Sequence, residues 1–280
     1  MSGIIEIGTI TPAILVLGAG GDIGRGVVQA LLDAGRPVLA VDADAAVLEA
    51  LRQQHPRASL TTLVAAIASD ADAARLAASV RAHGGEIAGV VASIAGRHDC
   101  ARLLDQPADA LRRTLDEDLM PQLFAARHVL PLLRTDAAAG YVLIGGPGGD
   151  YPWAGYGHCS IAAAALRMLV RVLYDEAAGE GVRVQLLALD APVQTDANAT
   201  QAGSAWPKPI AIGRRALALL DAGRMPAPPV VGFRIDNTTS SATTPRDRAP
   251  ARDLRDARAL LASIRALPRL LPGPLPHETP

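Results

Sequence analysis

The stretch Gly18-Ala19-Gly20-Gly21-Asp22-Ile23-Gly24 offers a ligand backbone rather than side chains. Glycines at that density let a chain turn sharply and let a pyrophosphate approach the main chain. A helix starting there presents free N–H groups at its partly positive end. Asp42, 24 residues past Gly18, stands near the offset of about 20 at which a carboxylate reaches an adenosine ribose. The same carboxylate repels a 2′-phosphate, and no arginine follows it directly in Ala43-Asp44-Ala45. The pattern therefore favours NAD, with NADP the lesser choice. The competing reading makes Asp42 the N-cap of the next helix. Other reactive side chains form no set: His55, His83, His98, His128 and His277 are scattered without metal-ligand spacing, so no metal site is expected. Cys159 has no sequence neighbour that would activate its thiol, and no Gly-x-Ser-x-Gly elbow is present. His158, two residues from Tyr156, would point away from it on a helix and is expected to be partly exposed.

A glycine loop of this kind needs a strand before it and a helix after it. Ala13–Leu17 is a short apolar run, and the residues from about Gly24 to Ala34 have helical spacing and stop at Gly35. Pro37–Asp42 reads as a second buried strand, with a helix near Ala45–Gln53 and a third strand near Ser59–Ala66. Asp70–Arg81 is helical, and the nearly continuous apolar run from Ile87 to Gly96 is expected of a parallel strand covered on both faces. Ala108 to Leu133 reads as one long helix bent at Pro121. A strand at Tyr141–Ile144, an alanine-rich helix over Ile161–Ala178 and a sixth strand at Val182–Leu189 follow. Beyond Thr195 the pattern weakens to a helix over Ile210–Leu220 and an edge strand at Pro229–Ile235. Strands alternating with helices predict a Rossmann-type α/β fold, a doubly wound parallel sheet with helices on both faces. The expected domain runs over residues 1–236, and 237–280 reads as a Ser/Thr-rich linker, an amphipathic helix and a Pro-rich tail.

Composition narrows the function classes. A formal charge of -1 over 280 residues gives no reason to expect nucleic acid or an anionic membrane as partner. Two cysteines make no disulfide framework and fit a reducing compartment. No apolar run nears the roughly 18 residues that cross a bilayer, and the first residues lack the basic start of a signal peptide. A cytoplasmic protein is the expectation.

Over residues 12 to 235 the chain resembles the short-chain dehydrogenase/reductase family. The Leu17–Gly24 loop is similar to that family's Thr-Gly-x-x-x-Gly-x-Gly signature, with Leu17 for Thr and Asp22 at the middle glycine. Ser93-Ile94-Ala95-Gly96 stands at the family's Asn-Asn-Ala-Gly and keeps Ala95 and Gly96. The resemblance implies cofactor contacts from Gly18, Gly20, Gly21, Asp22, Ile23, Gly24, Asp42, Ala95 and Gly96. It adds Thr195, at the position of a threonine that touches the nicotinamide carboxamide. It implies Tyr156 as catalytic acid/base, with a lysine four residues on, a serine at the end of the fifth strand and an asparagine in the helix after the fourth. Those positions hold Ser160, Gly145-Gly146 and Asp118. Lys208 is the only lysine in the chain. A phenol's pKa of about 10 falls toward working pH beside an ammonium, and serine cannot do this. The expectation is an NAD(P)-dependent oxidoreductase acting on a small carbonyl or alcohol substrate with weakened or altered catalysis. The alternative is a non-catalytic nucleotide-binding homologue, a redox sensor or an inactive partner subunit. The family's helix-mediated interface implies a homo-oligomer, dimer or tetramer.

Overall fold

Ala13–Leu17 forms β1, a five-residue apolar strand with four residues buried, at the middle of the sheet. The computed structural model describes residues 12–133, 139–200, 202–223 and 227–233. After β1 come α1 (Asp22–Asp33), β2 (Val38–Asp42), α2 (Ala45–Gln54), β3 (Leu60–Val64), α3 (Asp70–Ala82) and β4 (Ile87–Ala92). The second half has α4 (Ala110–Asp118), α5 (Met120–Val129), β5 (Gly140–Gly145), α6 (Gly157–Ala178), β6 (Arg183–Ala188), α7 (Pro209–Asp221) and β7 (Val230–Gly232). The strands pair in parallel in the order β3-β2-β1-β4-β5-β6-β7. Parallel pairing requires crossover connections, and helices in those crossovers cover both faces.

Strand alternation divides the core in two. Leu15, Leu17, Val90, Leu143 and Leu186 face α3, α5 and α6 through Leu76, Val129 and Val170. Ile14, Val16, Val91, Val142 and Leu187 face α1 and α7 through Val28, Leu31, Ile212 and Ala216. The strand order reverses between β1 and β4, so their connections leave toward opposite faces. That opens a crevice beyond their C-terminal ends, where doubly wound sheets hold ligands.

Small residues bring α1 and α7 together. A Cβ on Gly26 would lie 2.3 Å from the Pro209 carbonyl carbon, and one on Gly213 would lie 2.6 Å from Gly26 O. The end of α7 is held by Arg183, whose Nη2 donates to Leu219 O at 2.6 Å and Leu220 O at 3.1 Å. A cation there complements the negative helix end, though burial pulls its pKa below the usual arginine value.

Two expectations change in detail. The single bent helix over 108–133 is instead α4, α5 and a 3-10 turn at Leu130–Leu132, with Leu119 ending one helix and starting the next. Pro121 sits in the first turn of α5, where its missing N–H costs nothing. The edge strand is Val230–Gly232 beside β6, shorter than expected. The linker, amphipathic helix and tail at 237–280 lie outside the described residues. Among the described residues, no helix is long and apolar enough to cross a membrane.

Candidate active site

The glycine loop is fixed by packing at both ends. Gly18 has φ +71°, and a Cβ there would come within 2.2 Å of Ser93 O. A Cβ on Gly24 would come within 2.0 Å of Gly18 O. β1, the start of α1 and the segment after β4 therefore meet backbone to backbone. Gly21 is the extended N-cap of α1 and makes no side-chain capping bond. Asp22 turns outward, its Oδ1 2.5 Å from Arg25 Nη2, and so leaves the first helical N–H groups to a ligand. Ile23 packs beside the α1–α7 side of the core. A Cβ on Gly21 would meet only Gly18 O, at 3.6 Å, so the outer side of the loop is open. This cradle fits a pyrophosphate.

Asp42 ends β2 and reaches back to the loop. Its Oδ2 accepts from Gly20 N at 2.8 Å and its Oδ1 from Asp44 N at 3.1 Å. The N-cap of α2 is Asp44, whose Oδ1 accepts from Ala46 N at 2.8 Å. Arg25 Nη1 donates to Gly20 O at 2.8 Å, so the same loop residue meets a carboxylate on one side and a guanidinium on the other.

Beyond β4, helical side chains hold the backbone by hydrogen bonds. Ser93 N donates to Leu17 O at 2.9 Å, and Gln122 Nε2 donates to Ile94 O at 2.9 Å. Asp118, at the position where the family has an amide, accepts from Gly96 N at 2.7 Å, and the same Oδ1 is 2.9 Å from His98 Nε2. Ala95 is exposed at this bend. Thr195 follows β6 and closes a capping box with Asn198, donating its N–H to Asn198 Oδ1 at 2.8 Å.

Tyr156 is the N-cap of α6, with φ −130° and ψ 41°. Because its backbone is not helical, helical spacing does not govern its neighbours. His158 is accordingly buried, with its ring 6.4 Å from that of Tyr156 and 5.7 Å from that of His98. The expectation of a partly exposed His158 is thus corrected. Trp153 stacks on Tyr156 at 4.3 Å. Ala101 N donates to Gly155 O at 2.8 Å and ties the 98–102 segment to the start of α6, beside Tyr156. Burial raises the Tyr156 pKa, with hydrogen bonding and charge from Cys100 and smaller contributions from Cys159 and Asp99 acting in the same direction. Burial likewise pushes Cys159 up to about 12, helped by Asp118. Burial lowers His158, with His98 adding to that effect and Asp118 opposing it.

Ser160, where a lysine is absent, bonds backbone only: its Oγ accepts from Trp153 N at 2.9 Å and donates to Tyr156 O at 3.1 Å. Three residues unlinked by sequence spacing, His98, His158 and Cys159, come together here. One donor atom from each lies within 4.8 Å of the others. A gap of about sixty residues separates His98 from the other two, so spacing held no signal for the trio.

A seven-stranded parallel sheet with a glycine cradle at β1 and a tyrosine at the start of α6 defines an NAD(P)-binding oxidoreductase fold. The family model described as enoyl-(acyl carrier protein) reductase matches residues 18–215. The chain belongs to the short-chain dehydrogenase/reductase family. It is similar to the NADPH-bound short-chain oxidoreductase with an atypical catalytic center from Pseudomonas aeruginosa PAO1. That match has a TM-score of 0.66 and 24% identity, covering 75% of this chain and 90% of that one. A short-chain type dehydrogenase/reductase from Mycobacterium ulcerans matches with TM-score 0.68 and 21% identity over 75% and 83% of the two chains. ElxO with NADP bound matches with TM-score 0.72 and 10% identity over 79% and 96%. Among curated proteins no match is found.

The expected preference for NAD is overturned by these relatives, one bound to NADPH and one to NADP. The physical reason lies in how Asp42 is used. Two backbone N–H groups engage its carboxylate, and Arg25 brings a cation to the same loop residue. Spacing alone does not show that a guanidinium and the carboxylate share one loop residue, Gly20.

Proposed function

We propose that the chain is an NADP(H)-dependent reductase of a carbonyl compound, with Tyr156 as the proton donor. The Gly18–Gly24 loop and the α1 N-terminus would hold the pyrophosphate, and Ser93–Gly96 would line the nicotinamide end. NADPH, when bound there, would supply the hydride for the carbonyl carbon. Tyr156 gives its phenolic proton to the carbonyl oxygen, and the phenolate left behind regains a proton from solvent at this half-buried position. Asp118 acts as a positioning residue: by holding Gly96 and His98 it fixes the segment that closes beside Tyr156.

The observation that carries this reading is Tyr156 half-buried at the start of α6 with Ser160 rather than a cation one turn along, and burial there raises the phenol's pKa. A protonated phenol has a proton to give but is no base near neutral pH, which supports reduction over oxidation. The experiment is NADPH consumption with a panel of aldehydes and ketones, run beside Tyr156→Phe and beside alcohols with NADP. Ketone or aldehyde reduction that Tyr156→Phe leaves intact would remove Tyr156 from the role.

The second reading, a nucleotide-binding homologue without turnover, is favoured by one feature. The Ser160 hydroxyl gives its single proton to Tyr156 O and so has no donor left for a substrate carbonyl. NADPH that raises the melting temperature while no carbonyl in the panel is reduced selects it.

A further inference from the structure

We propose that His98, His158 and Cys159 form a zinc-class divalent-cation site beside Tyr156. Their donor atoms, two imidazole nitrogens and one thiol sulfur, lie within 4.8 Å of one another. A tetrahedral ion with bonds of about 2.0–2.3 Å needs these donors roughly 3.5 Å apart, so side-chain closure of about an ångström completes the set. The types fit: neutral imidazole and thiolate are preferred zinc ligands, and oxygen-seeking magnesium or calcium is not suited to them.

Three further observations point to a ligand. His158 is 3% exposed, and its Nδ1 is buried with no hydrogen-bond partner among the described residues. A buried ring nitrogen without a partner is costly, and a metal bond relieves the cost. The two imidazoles meet edge to face at 81° with ring centroids 5.7 Å apart, close enough for one ion to reach a nitrogen of each. Asp118 Oδ1, 2.9 Å from His98 Nε2, makes the carboxylate–histidine pairing that orients metal-binding rings. Charge also balances: one thiolate and the Asp118 carboxylate offset a divalent ion.

Three protein ligands leave a fourth tetrahedral position open, the arrangement of zinc sites that take a water or a substrate oxygen rather than purely structural ones. Tyr156 is a neighbour of the site, its ring 6.4 Å from that of His158. The site depends on side chains alone and stands whether or not Tyr156 is a proton donor.

Untagged full-length protein, stripped with a chelator, is titrated with cobalt(II) chloride and, separately, with zinc chloride. The expected result is one equivalent bound, with visible bands of a four-coordinate cobalt ion and a thiolate-to-cobalt charge-transfer band, both displaced by zinc. Cys159→Ser is expected to abolish the charge-transfer band while Cys100→Ser keeps it. Asp118→Asn, which retains an acceptor for Gly96, is expected to weaken zinc binding about 10–100-fold. Circular dichroism of each stripped variant separates lost ligation from lost folding; where His158→Ala does not fold, the cysteine pair decides. Spectra that remain those of the hydrated cobalt ion overturn the site. So does a charge-transfer band that follows Cys100 instead of Cys159.

Discussion

The Ser160 hydroxyl accepts the Trp153 N–H at 2.9 Å and donates to the Tyr156 carbonyl at 3.1 Å, so one side chain pins the turn that carries Tyr156 into α6. A lysine at 160 would lose both bonds and bury an ammonium at a position that is 7% exposed. There is also little room, since Gly148, at φ +96°, would place a Cβ only 2.6 Å from Ser160 Oγ. An uncompensated buried charge costs about 3–5 kcal/mol. Ser160→Lys is expected to lower stability by that order in denaturant melts and to leave reduction no faster. A folded, stable Ser160→Lys protein with higher turnover would contradict the structural role given to this serine.

Tyr156→Phe tests the proton. General acids commonly contribute about 10²–10⁴ in rate, and the fall in kcat is expected inside that range with KM little changed. The raised pKa sets the pH dependence. The phenol donates when protonated, and burial moves its ionisation above the ordinary 10.0. Reduction should therefore show no loss attributable to Tyr156 between about pH 6 and about pH 9. A basic limb inside that window, absent from Tyr156→Phe, would mean that the phenol ionises there.

Strand and helix periods made the sheet legible, because parallel strands buried on both faces read as apolar runs such as Ile14–Leu17 and Val90–Ala92. The glycine loop was legible for the same reason: positions where a Cβ would strike backbone admit only glycine. Asp42 was found at the right place but misread in consequence. Its spacing says where the carboxylate ends up, but not that Gly20 N and Asp44 N donate to it or that Arg25 sits on the same Gly20. The cluster around Tyr156 could not be read at all. Segment 98–102 reaches α6 through the Ala101–Gly155 bond and the His98–His158 ring contact, tertiary events with no periodic trace. His158 was misplaced because helical spacing was applied across Tyr156, whose backbone is not helical.

The α1–α7 contact buttresses the cradle from behind. Gly26→Ala would drive a methyl to 2.3 Å from the Pro209 carbonyl carbon, where backbone rather than a flexible side chain must yield. Overpacking of this kind costs about 1–3 kcal/mol. Because the proposed pyrophosphate site lies at the start of α1, Gly26→Ala is expected to weaken NADPH binding as well as stability. Isothermal titration beside thermal melts measures the two together. A variant with wild-type stability and affinity would show that α7 does not position α1.

Tyr141 lies in β5 at 0% exposure, and its hydroxyl has no hydrogen-bond partner among the described residues. An unsatisfied buried hydroxyl costs about 1–3 kcal/mol, so Tyr141→Phe is expected to be neutral or to stabilise by about 1 kcal/mol at neutral pH. Burial raises the folded-state pKa above 10.0, so the unfolded chain releases this proton first. Stability from Tyr141 is therefore fully present below pH 10.0 and is lost as pH rises beyond it. Denaturant melts at rising alkalinity should show Tyr141→Phe losing less stability than the unsubstituted chain; equal losses would mean that the phenol is not sealed in the core.

The exposed side of α6 carries Ile161, Met168 and Val172 at 40%, 55% and 44% exposure, spaced by seven and four residues and so on one face. Apolar side chains aligned this way on a long helix suit burial against a second copy, where a two-fold axis sets the same stripe against itself. The expected homo-oligomer would use this surface. Met168→Asp puts a carboxylate at its centre, and under two-fold symmetry a like charge opposes it across the contact. Light scattering after size exclusion is expected to give a dimer or tetramer for the unsubstituted chain and a smaller species for Met168→Asp, with an unchanged circular dichroism spectrum. An assembly that survives Met168→Asp at micromolar concentration must be held by another face. In that case the α6 stripe is ordinary exposed apolar surface, which monomers carry in small patches.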